Sequence, residues 1–216
     1  MRIPRFLLSF ILVLLAATAI GQKSLIEGSI SYTISSRTSP AGELNPVGTY
    51  TVSFKDGMVR KDIKMKSGYT NAIIINGKNN SVYSLREIGE DHFAVQMDYT
   101  EYLERQKKYE GFTVAKKKTR DQKGGFSASR GKVTYNDGTV TNIYFTEDVI
   151  ISEPKLFERL PGITYLPLAF DFQKESGPAL HLELSKVEEK PVESSLFTVP
   201  SDFKIITSKE LKELNK

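Results

Sequence analysis

Hydrophobic and polar residues alternate along much of the chain with a period of two. In SISYTIS, residues 29–35, the apolar side chains are Ile30, Tyr32 and Ile34, and Ser or Thr occupies the positions between them. The segment TYTVSFK, residues 49–55, repeats this pattern. Successive side chains of a β-strand point to opposite faces of a sheet, so the alternation predicts strands with one buried face.

Turn residues separate these segments at the short intervals expected of hairpins. Asp56-Gly57 follows the second segment, and Val59, Ile63 and Met65 continue the apolar pattern beyond it. Asp-Gly between two alternating segments is a strong signal for a two-residue hairpin turn. Similar segments follow at 69–75, 81–86, 132–135, 140–145, 166–172 and 180–184. The sequence therefore predicts a meandering antiparallel sheet of roughly eight to eleven strands.

Few segments have the periodicity of a helix. In MDYTEYLERQKKY, residues 97–109, an apolar stripe at helical spacing joins Tyr99, Tyr102, Leu103 and Tyr109. This segment is the main predicted helix.

Local signals place the start of this helix and two shorter elements. Asp98, with Glu101 three residues later, resembles a capping box. Residues 154–160 predict a short turn, and residues 208–214 predict a terminal helix. These elements cover only part of a large apolar face, which needs a covering layer. We therefore expect a mainly β (α+β) fold: a single open curved antiparallel sheet, or half-barrel, with one main helix and short helices plugging its concave face.

Residues 1–21 have the composition of a secretory signal peptide. Two arginines precede the apolar stretch Phe6–Ile20, which is shorter than the roughly 20 residues of a comfortable membrane span. Ala19 and Gly21 fit the small-residue cleavage pattern, which places the cut before Gln22. The alternative is a retained membrane anchor. We favour cleavage, which predicts export to the periplasm or outer cell envelope.

Residues 22–216 then form one predicted domain. The chain has no cysteine, which removes disulfides, thiolate metal sites, cysteine nucleophiles and lipid attachment to a cysteine at the cut. Its formal net charge of +4 falls to +2 when Arg2 and Arg5 are removed. A charge this small does not favour nucleic acid as a partner.

The sequence offers little chemistry for catalysis. His92 and His181 are the only histidines, they are not at metal-ligand spacing with each other, and the nearest carboxylates are ordinary surface neighbours. No nucleophile elbow, phosphate-binding loop or dinucleotide-binding glycine pattern is present. We predict a protein that is not an enzyme, with no catalytic residues, no metal and no cofactor. An enzyme that uses paired carboxylates stays a minor alternative.

Basic residues concentrate between positions 105 and 123, a segment that contains eight basic and only two acidic residues. One interpretation is a docking patch for an anionic lipid surface. The other, which we favour, is a solvated helix end and strand face whose lysines discourage edge pairing. The candidate patch consists of Lys107, Lys108, Lys116, Lys117, Lys118 and Arg120.

The segment LPGITYLPLAFDF, residues 160–172, joins a stiff turn to an apolar ladder. Mixed Tyr, Phe and Leu side chains are typical of pockets for amphiphiles and equally of a protein core. As a cleft, this ladder would face the main helix. The candidate cleft consists of Tyr99, Tyr102, Leu103, Tyr144, Leu160, Leu166, Leu168, Phe170 and Phe172.

Several short motifs together carry a family resemblance. They are the opening strand Ile26-Glu27-Gly28-Ser29-Ile30, the turn LPGITYLPL and the segment LFTVPSDFKII at 196–206. With them the chain resembles exported Bacteroidetes domains of unknown function, the GLPGLI-like group, and is similar in layout to the lipoprotein carrier LolA. The turn departs from a true GLPGLI string. The resemblance implies an open half-barrel with a possible lipid or acyl-chain cleft, and it carries over no catalytic residues.

Two function hypotheses follow. The leading one is a non-enzymatic periplasmic or envelope protein that binds a hydrophobic or amphiphilic ligand, such as a lipid, an acyl chain or a lipoprotein, in a half-barrel cleft. The alternative is an envelope interaction or scaffold protein with a filled core, no small ligand and an envelope protein as its partner. In both, the mature form does not span the membrane.

Overall fold

A computed structural model describes residues 22–37, 42–153, 156–160, 163–172 and 180–214, without the side chains at 118–120 and 172. Within these residues there are thirteen strands and two α-helices. The strands are β1 (Lys23–Leu25), β2 (Gly28–Arg37), β3 (Leu44–Lys55), β4 (Met58–Met65), β5 (Thr70–Asn76), β6 (Ser81–Ile88), β7 (Asp91–Met97), β8 (Thr113–Lys123), β9 (Phe126–Thr134), β10 (Val140–Ile151), β11 (Tyr165–Phe172), β12 (Leu180–Glu188) and β13 (Lys204–Thr207). The helices are α1 (Tyr99–Lys107) and α2 (Ser208–Leu214).

All thirteen strands belong to one sheet. Its order is β13-β7-β6-β5-β4-β3-β2-β12-β11-β10-β9-β8, and β1 lies off this path beside β10. Pairing is antiparallel except between β1 and β10 and between β13 and β7. The chain meanders from β2 to β7, crosses with α1 to the far end, and meanders back from β8 to β12. The prediction of a mainly β protein with one open curved sheet and few helices is confirmed.

The β3–β4 hairpin shows how local chemistry fixes the register. Asp56 and Gly57 have φ angles of 49° and 78°, the left-handed pair that a two-residue hairpin turn requires. Their turn places Val52 opposite Lys61 and Phe54 opposite Val59. A shift of one residue would move every side chain to the other face, so this turn decides which residues are buried.

The sheet buries most of its apolar side chains on one face, which we call the inner face. Its centre holds Val52, Val59 and Ile75, all fully buried. Tyr102 of α1 packs there, as does the segment from Leu156 to Leu160, which we call the roof segment. The predicted partial cover of the apolar face by helix and turn is therefore present.

Helix α1 begins where its cap predicts. The Asp98 side chain accepts a hydrogen bond from the Glu101 backbone N–H at 2.8 Å, which satisfies one of the free donors of the first turn. The helix ends at Lys107, earlier than the apolar stripe indicated. Tyr109 therefore lies beyond the helix, where its ring packs against Tyr135 with 5.5 Å between ring centres.

The C-terminal segment covers both faces of the sheet near β7. Val199 and Phe203 pack on the outer face against a cluster that includes Ile74 and Leu85. The chain then adds β13 to the edge of β7, and α2 covers the inner face through Leu211. The motif LFTVPSDFKII is this wrapping segment. The predicted bounds of the terminal helix match α2.

Candidate ligand-binding cavity

A cavity of about 150 Å³ lies on the inner face, between the sheet and the roof segment. Strands β2 to β5, β11 and β12 form its floor. The cavity communicates with solvent beside β4 and β5, because its lining residues Ile63, Asn71 and Ile73 are only half-buried. Its walls are formed by Ile34, Tyr50, Lys61, Ile63, Asn71, Ile73, Phe157, Glu158, Arg159, Leu160, Phe170, Leu180 and Leu182.

Strand register supplies the apolar floor. Ile34 of β2 pairs with Leu182 of β12, which in turn pairs with Phe170 of β11. Directly paired residues share a face, so these three side chains form one row across three strands. Phe157 of the roof segment closes over the row, with its ring centre 6.2 Å from that of Phe170 in an edge-to-face arrangement.

One charged side chain interrupts the apolar surface of the floor. Lys61 lies in the middle of β4, paired with Val52 on one side and Ile73 on the other. Its exposed fraction is 3%. The ammonium group donates to the Glu158 carboxylate at 3.3 Å and lies 3.5 Å from the Tyr102 hydroxyl.

Tyr102, which lies beside the cavity, completes a three-residue polar cluster with Lys61 and Glu158. Its hydroxyl donates to the Glu158 carboxylate at 3.1 Å, so one carboxylate oxygen accepts from both Lys61 and Tyr102. Each partner comes from a different element: β4, α1 and the roof segment. The cluster therefore connects both covering elements to the floor of the sheet.

Burial determines the protonation behaviour of this cluster. Burial lowers the pKa of Lys61 from its ordinary value, and the Glu158 carboxylate acts in the opposite direction. The pKa of Tyr102 is raised by burial and then by Glu158, and the pKa of Tyr50 is raised well above its usual range by the same two causes in the same order. Both phenols therefore keep their protons at neutral pH. Chemically, the wall presents the Lys61 cation and the neutral Tyr50 side chain to an apolar space, an arrangement that can neutralise an anion.

The structure brings some of the predicted cleft residues to this cavity. Leu160 and Phe170 form part of its wall, and Tyr102 contacts Lys61 and Glu158 beside it. Leu166 and Leu168 are fully buried and belong to the filled core. The ladder of the predicted cleft is therefore partly core and partly cavity wall.

Other predicted cleft residues lie elsewhere. Tyr99 and Leu103 of α1 are half-buried against the core and do not line the cavity. Tyr144 pairs with Ala169, whereas Phe170 pairs with Ile143, so Tyr144 and Phe170 point to opposite faces.

The Tyr144 ring lies against two cations on its own face. The Lys123 ammonium is 5.1 Å from its ring centre and the Arg130 guanidinium 5.8 Å. The structure thus does not bring Tyr144 to the cavity. The Phe172 side chain lies outside the described part of the chain.

Sequence reasoning missed Lys61, Glu158 and Tyr50 as site residues. A signal for the first was present, because Lys61 falls in the same period-two register as Val59 and Ile63. A lysine at an inward position of an alternating strand is a marker of a buried charge. Glu158 carries no such marker, since its partner lies 97 positions away.

The candidate basic patch is divided between two elements and partly neutralised. Lys107 of α1 forms an ion pair with Glu104, and Lys116 of β8 forms one with Glu147 at 2.9 Å. The Lys116 ammonium also lies 4.1 Å from the centre of the Tyr165 ring. Lys108 and Lys117 are exposed, and the side chains of Lys118 and Arg120 lie outside the described part of the chain.

The two histidines form separate pairs with aspartates. His92 Nδ1 lies 2.8 Å from Asp202, and His181 Nδ1 lies 2.7 Å from Asp171. Among the described residues, no group of three or more histidine or acidic side chains could hold a metal ion. Within the same residues, no helix has the length and apolar character needed to cross a membrane.

Comparison with known proteins adds distant structural similarities. No protein-family model matches the chain, and neither does any curated protein, so the GLPGLI-like assignment stays a prediction. The chain is similar to PNGF-II, with a TM-score of 0.48 and 13% identity over 86% of this chain, and it spans only 32% of the PNGF-II chain. It is also similar to a LolA superfamily protein from Nitrosomonas europaea, with a TM-score of 0.38 and 12% identity over 81% of this chain and 91% of that one. The sheet topology described above, and not these similarities, defines the fold class.

Proposed function

We propose that this chain is a non-enzymatic protein of the cell envelope that binds the apolar part of a lipid, acyl chain or other amphiphile. The observation that carries the proposal is the apolar cavity between the inner face and the roof segment. Pockets for small molecules are concave, mainly apolar and equipped with a few polar groups. The Ile34–Leu182–Phe170 row and the Lys61 cluster supply these two features.

The size of the cavity limits what it holds in the described state. An apolar cavity of about 150 Å³ accommodates a group the size of benzene. Pockets for larger ligands usually have volumes of roughly 300–1,000 Å³. A whole acyl chain therefore requires the roof segment to move away from the floor. This movement would expose Leu156, Phe157 and Leu160, so the bound chain must replace their contacts with the core.

The proposed location follows from the N-terminal sequence. Residues 1–21 have the pattern of a cleaved signal peptide, which directs the domain at 22–216 to the periplasm or outer envelope. An envelope protein meets lipids and acylated proteins, which carry the class of apolar chain that the cavity would accept.

The test is to identify what the protein carries in its own cell. The full-length gene is expressed in its native host, and the processed protein is purified from the envelope fraction without detergent. Mass spectrometry of the organic extract then identifies apolar material. We expect a lipid or acylated species at a stoichiometric ratio to the protein.

Two variants test whether the bound material lies in the cavity. Ile73→Phe adds volume at the half-buried wall and should reduce the bound amount several-fold. Val187→Phe is the matched control, since Val187 is also half-buried against the core but does not line the cavity. An empty wild-type protein, or an equal loss in both variants, would contradict the proposal and favour a scaffold protein with a filled core.

A further inference from the structure

We infer that the ligand of this cavity is a carboxylate amphiphile of the fatty-acid class, whose headgroup replaces the Glu158 carboxylate as the partner of Lys61. This inference rests on the proposed binding function and specifies the chemistry of the ligand. It is carried by the position of Lys61, by the unequal burial of its ion pair and by the charges of the cavity wall.

Lys61 is costly for the fold where it stands. A charged group removed from water needs a hydrogen-bonded partner, and an apolar residue of similar volume is usually at least as stabilising at such a position. The neighbours of Lys61 on the same face, Val52 and Ile73, are apolar. Because an apolar residue would stabilise the fold at least as well at this position, a ligand that needs the cation explains its presence.

The two members of the ion pair differ in their freedom to leave it. The Lys61 side chain is 3% exposed and is anchored in the middle of a strand that is paired on both sides. The Glu158 side chain is 36% exposed and lies in the short roof segment. Glu158 can therefore turn toward water when a ligand carboxylate takes its place, whereas Lys61 stays in the wall. The site left by this exchange is a fixed cation that faces an apolar space.

The cavity wall favours an anionic headgroup. Its charged side chains are Lys61, Arg159 and Glu158, which is two cations and one carboxylate. The Arg159 guanidinium also lies 5.4 Å from the centre of the Tyr109 ring. A ligand carboxylate that displaces Glu158 takes over its place as the ion-pair partner of Lys61. It can also accept the hydrogen bond that Tyr102 donates to Glu158.

The apolar chain has a path from this headgroup. Ile73, paired with Lys61 across the strands, and Ile63, two residues along β4, border the solvent-facing side of the cavity. The Leu182–Phe170 row forms the opposite part of the floor. A headgroup at Lys61 therefore lies beside the apolar floor on which the chain would pack.

The experiment compares an acid with its alcohol on the full chain. The protein is loaded with the neutral dye N-phenyl-1-naphthylamine, which is then displaced by decanoate or by 1-decanol at neutral pH, below the concentrations at which either aggregates. We expect decanoate to displace the dye at a concentration at least about tenfold lower than decanol, as charge-assisted hydrogen bonds imply.

Three variants identify the group responsible. Lys61→Met should abolish the preference for decanoate while decanol still binds, and Lys61→Arg should retain it. Glu158→Gln removes the competing carboxylate and should increase the preference for decanoate over decanol several-fold. Lys64→Met, an exposed lysine on the same strand, is the matched control and should behave as wild type.

The outcomes separate this inference from the proposed function. Equal displacement by acid and alcohol, or a preference that survives in Lys61→Met, overturns the carboxylate inference and leaves the binding function intact. Failure of both compounds to displace the dye, or of the dye to bind, overturns the proposed function itself. If circular dichroism shows that Lys61→Met does not fold, Glu158→Gln decides: an unchanged preference for decanoate over decanol overturns the inference.

Discussion

At the scale of single residues, we expect the buried Lys61 to lower the free energy of unfolding while it supplies a positive charge in the cavity wall. Lys61→Met replaces a buried cation by an apolar side chain of similar length, and Glu158 can then turn to water. We expect the free energy of unfolding at neutral pH to rise by about 1 kcal/mol. Urea denaturation measures the change, and Lys64→Met, at an exposed position, should shift it by no more than about 0.5 kcal/mol.

The pH dependence of this effect has a definite sign. Burial lowers the pKa of Lys61 in the folded protein below the 10.5 of an unperturbed lysine. Between these two pKa values the unfolded chain binds more protons, so wild-type stability rises with pH relative to the variant. The cost of Lys61 is complete below the folded-state pKa and disappears toward 10.5. The advantage of Lys61→Met should therefore shrink at alkaline pH, and parallel stability curves would contradict the assignment.

The same residue shows where prediction from sequence stops. The alternation of Val59, Lys61 and Ile63 is visible in the sequence and places the lysine on the buried face. Its partner Glu158 is not visible, because the contact depends on how the roof segment folds over the sheet. Tyr144 lies on the face opposite Phe170 for a related reason: its position relative to β11 is set by the register of the two strands, and composition alone does not specify a register.

At the scale of elements, the sequence predicted those features that depend on interactions between residues close together in the chain. The Asp56-Gly57 turn, the Asp98 cap and the bounds of α2 all depend on residues within one turn of the chain. Strand β8 was harder to predict, since beyond Val114 it carries mainly charged residues and forms by pairing with β9. The parallel pairing of β13 with β7 likewise depends on a distant partner.

The cap of α1 gives a prediction at this scale. Asp98→Ala removes the acceptor of the Glu101 N–H, and we expect a loss of about 1 kcal/mol in the free energy of unfolding. Hydrogen exchange should increase first in the amides of the opening helical turn. Thr100→Ala is the control, because Thr100 is exposed in the same turn. An equal loss in Thr100→Ala would show that the cap is not the cause.

At the scale of the whole molecule, an open sheet has two edges that could pair with another chain. One edge is β13, a strand of four residues followed by α2. The other is β8, which is longer and, in the described part of the chain, pairs only with β9. Lysines on an exposed edge strand oppose pairing with a second sheet. We therefore predict that the lysines of β8 protect this edge from pairing, a role that requires no anionic partner.

Lys117→Val tests this role of the edge. Lys117 is exposed on β8, and a β-branched apolar residue there should favour edge-to-edge association. We expect the weight-average sedimentation coefficient of the variant to rise above that of wild type as the protein concentration increases. Lys132→Val is the matched control: it makes the same change at an exposed position of β9, which is paired on both sides. If both variants associate equally, the added apolar surface and not the unpaired edge causes the association. The docking of an anionic surface would then be the better explanation of the candidate basic patch.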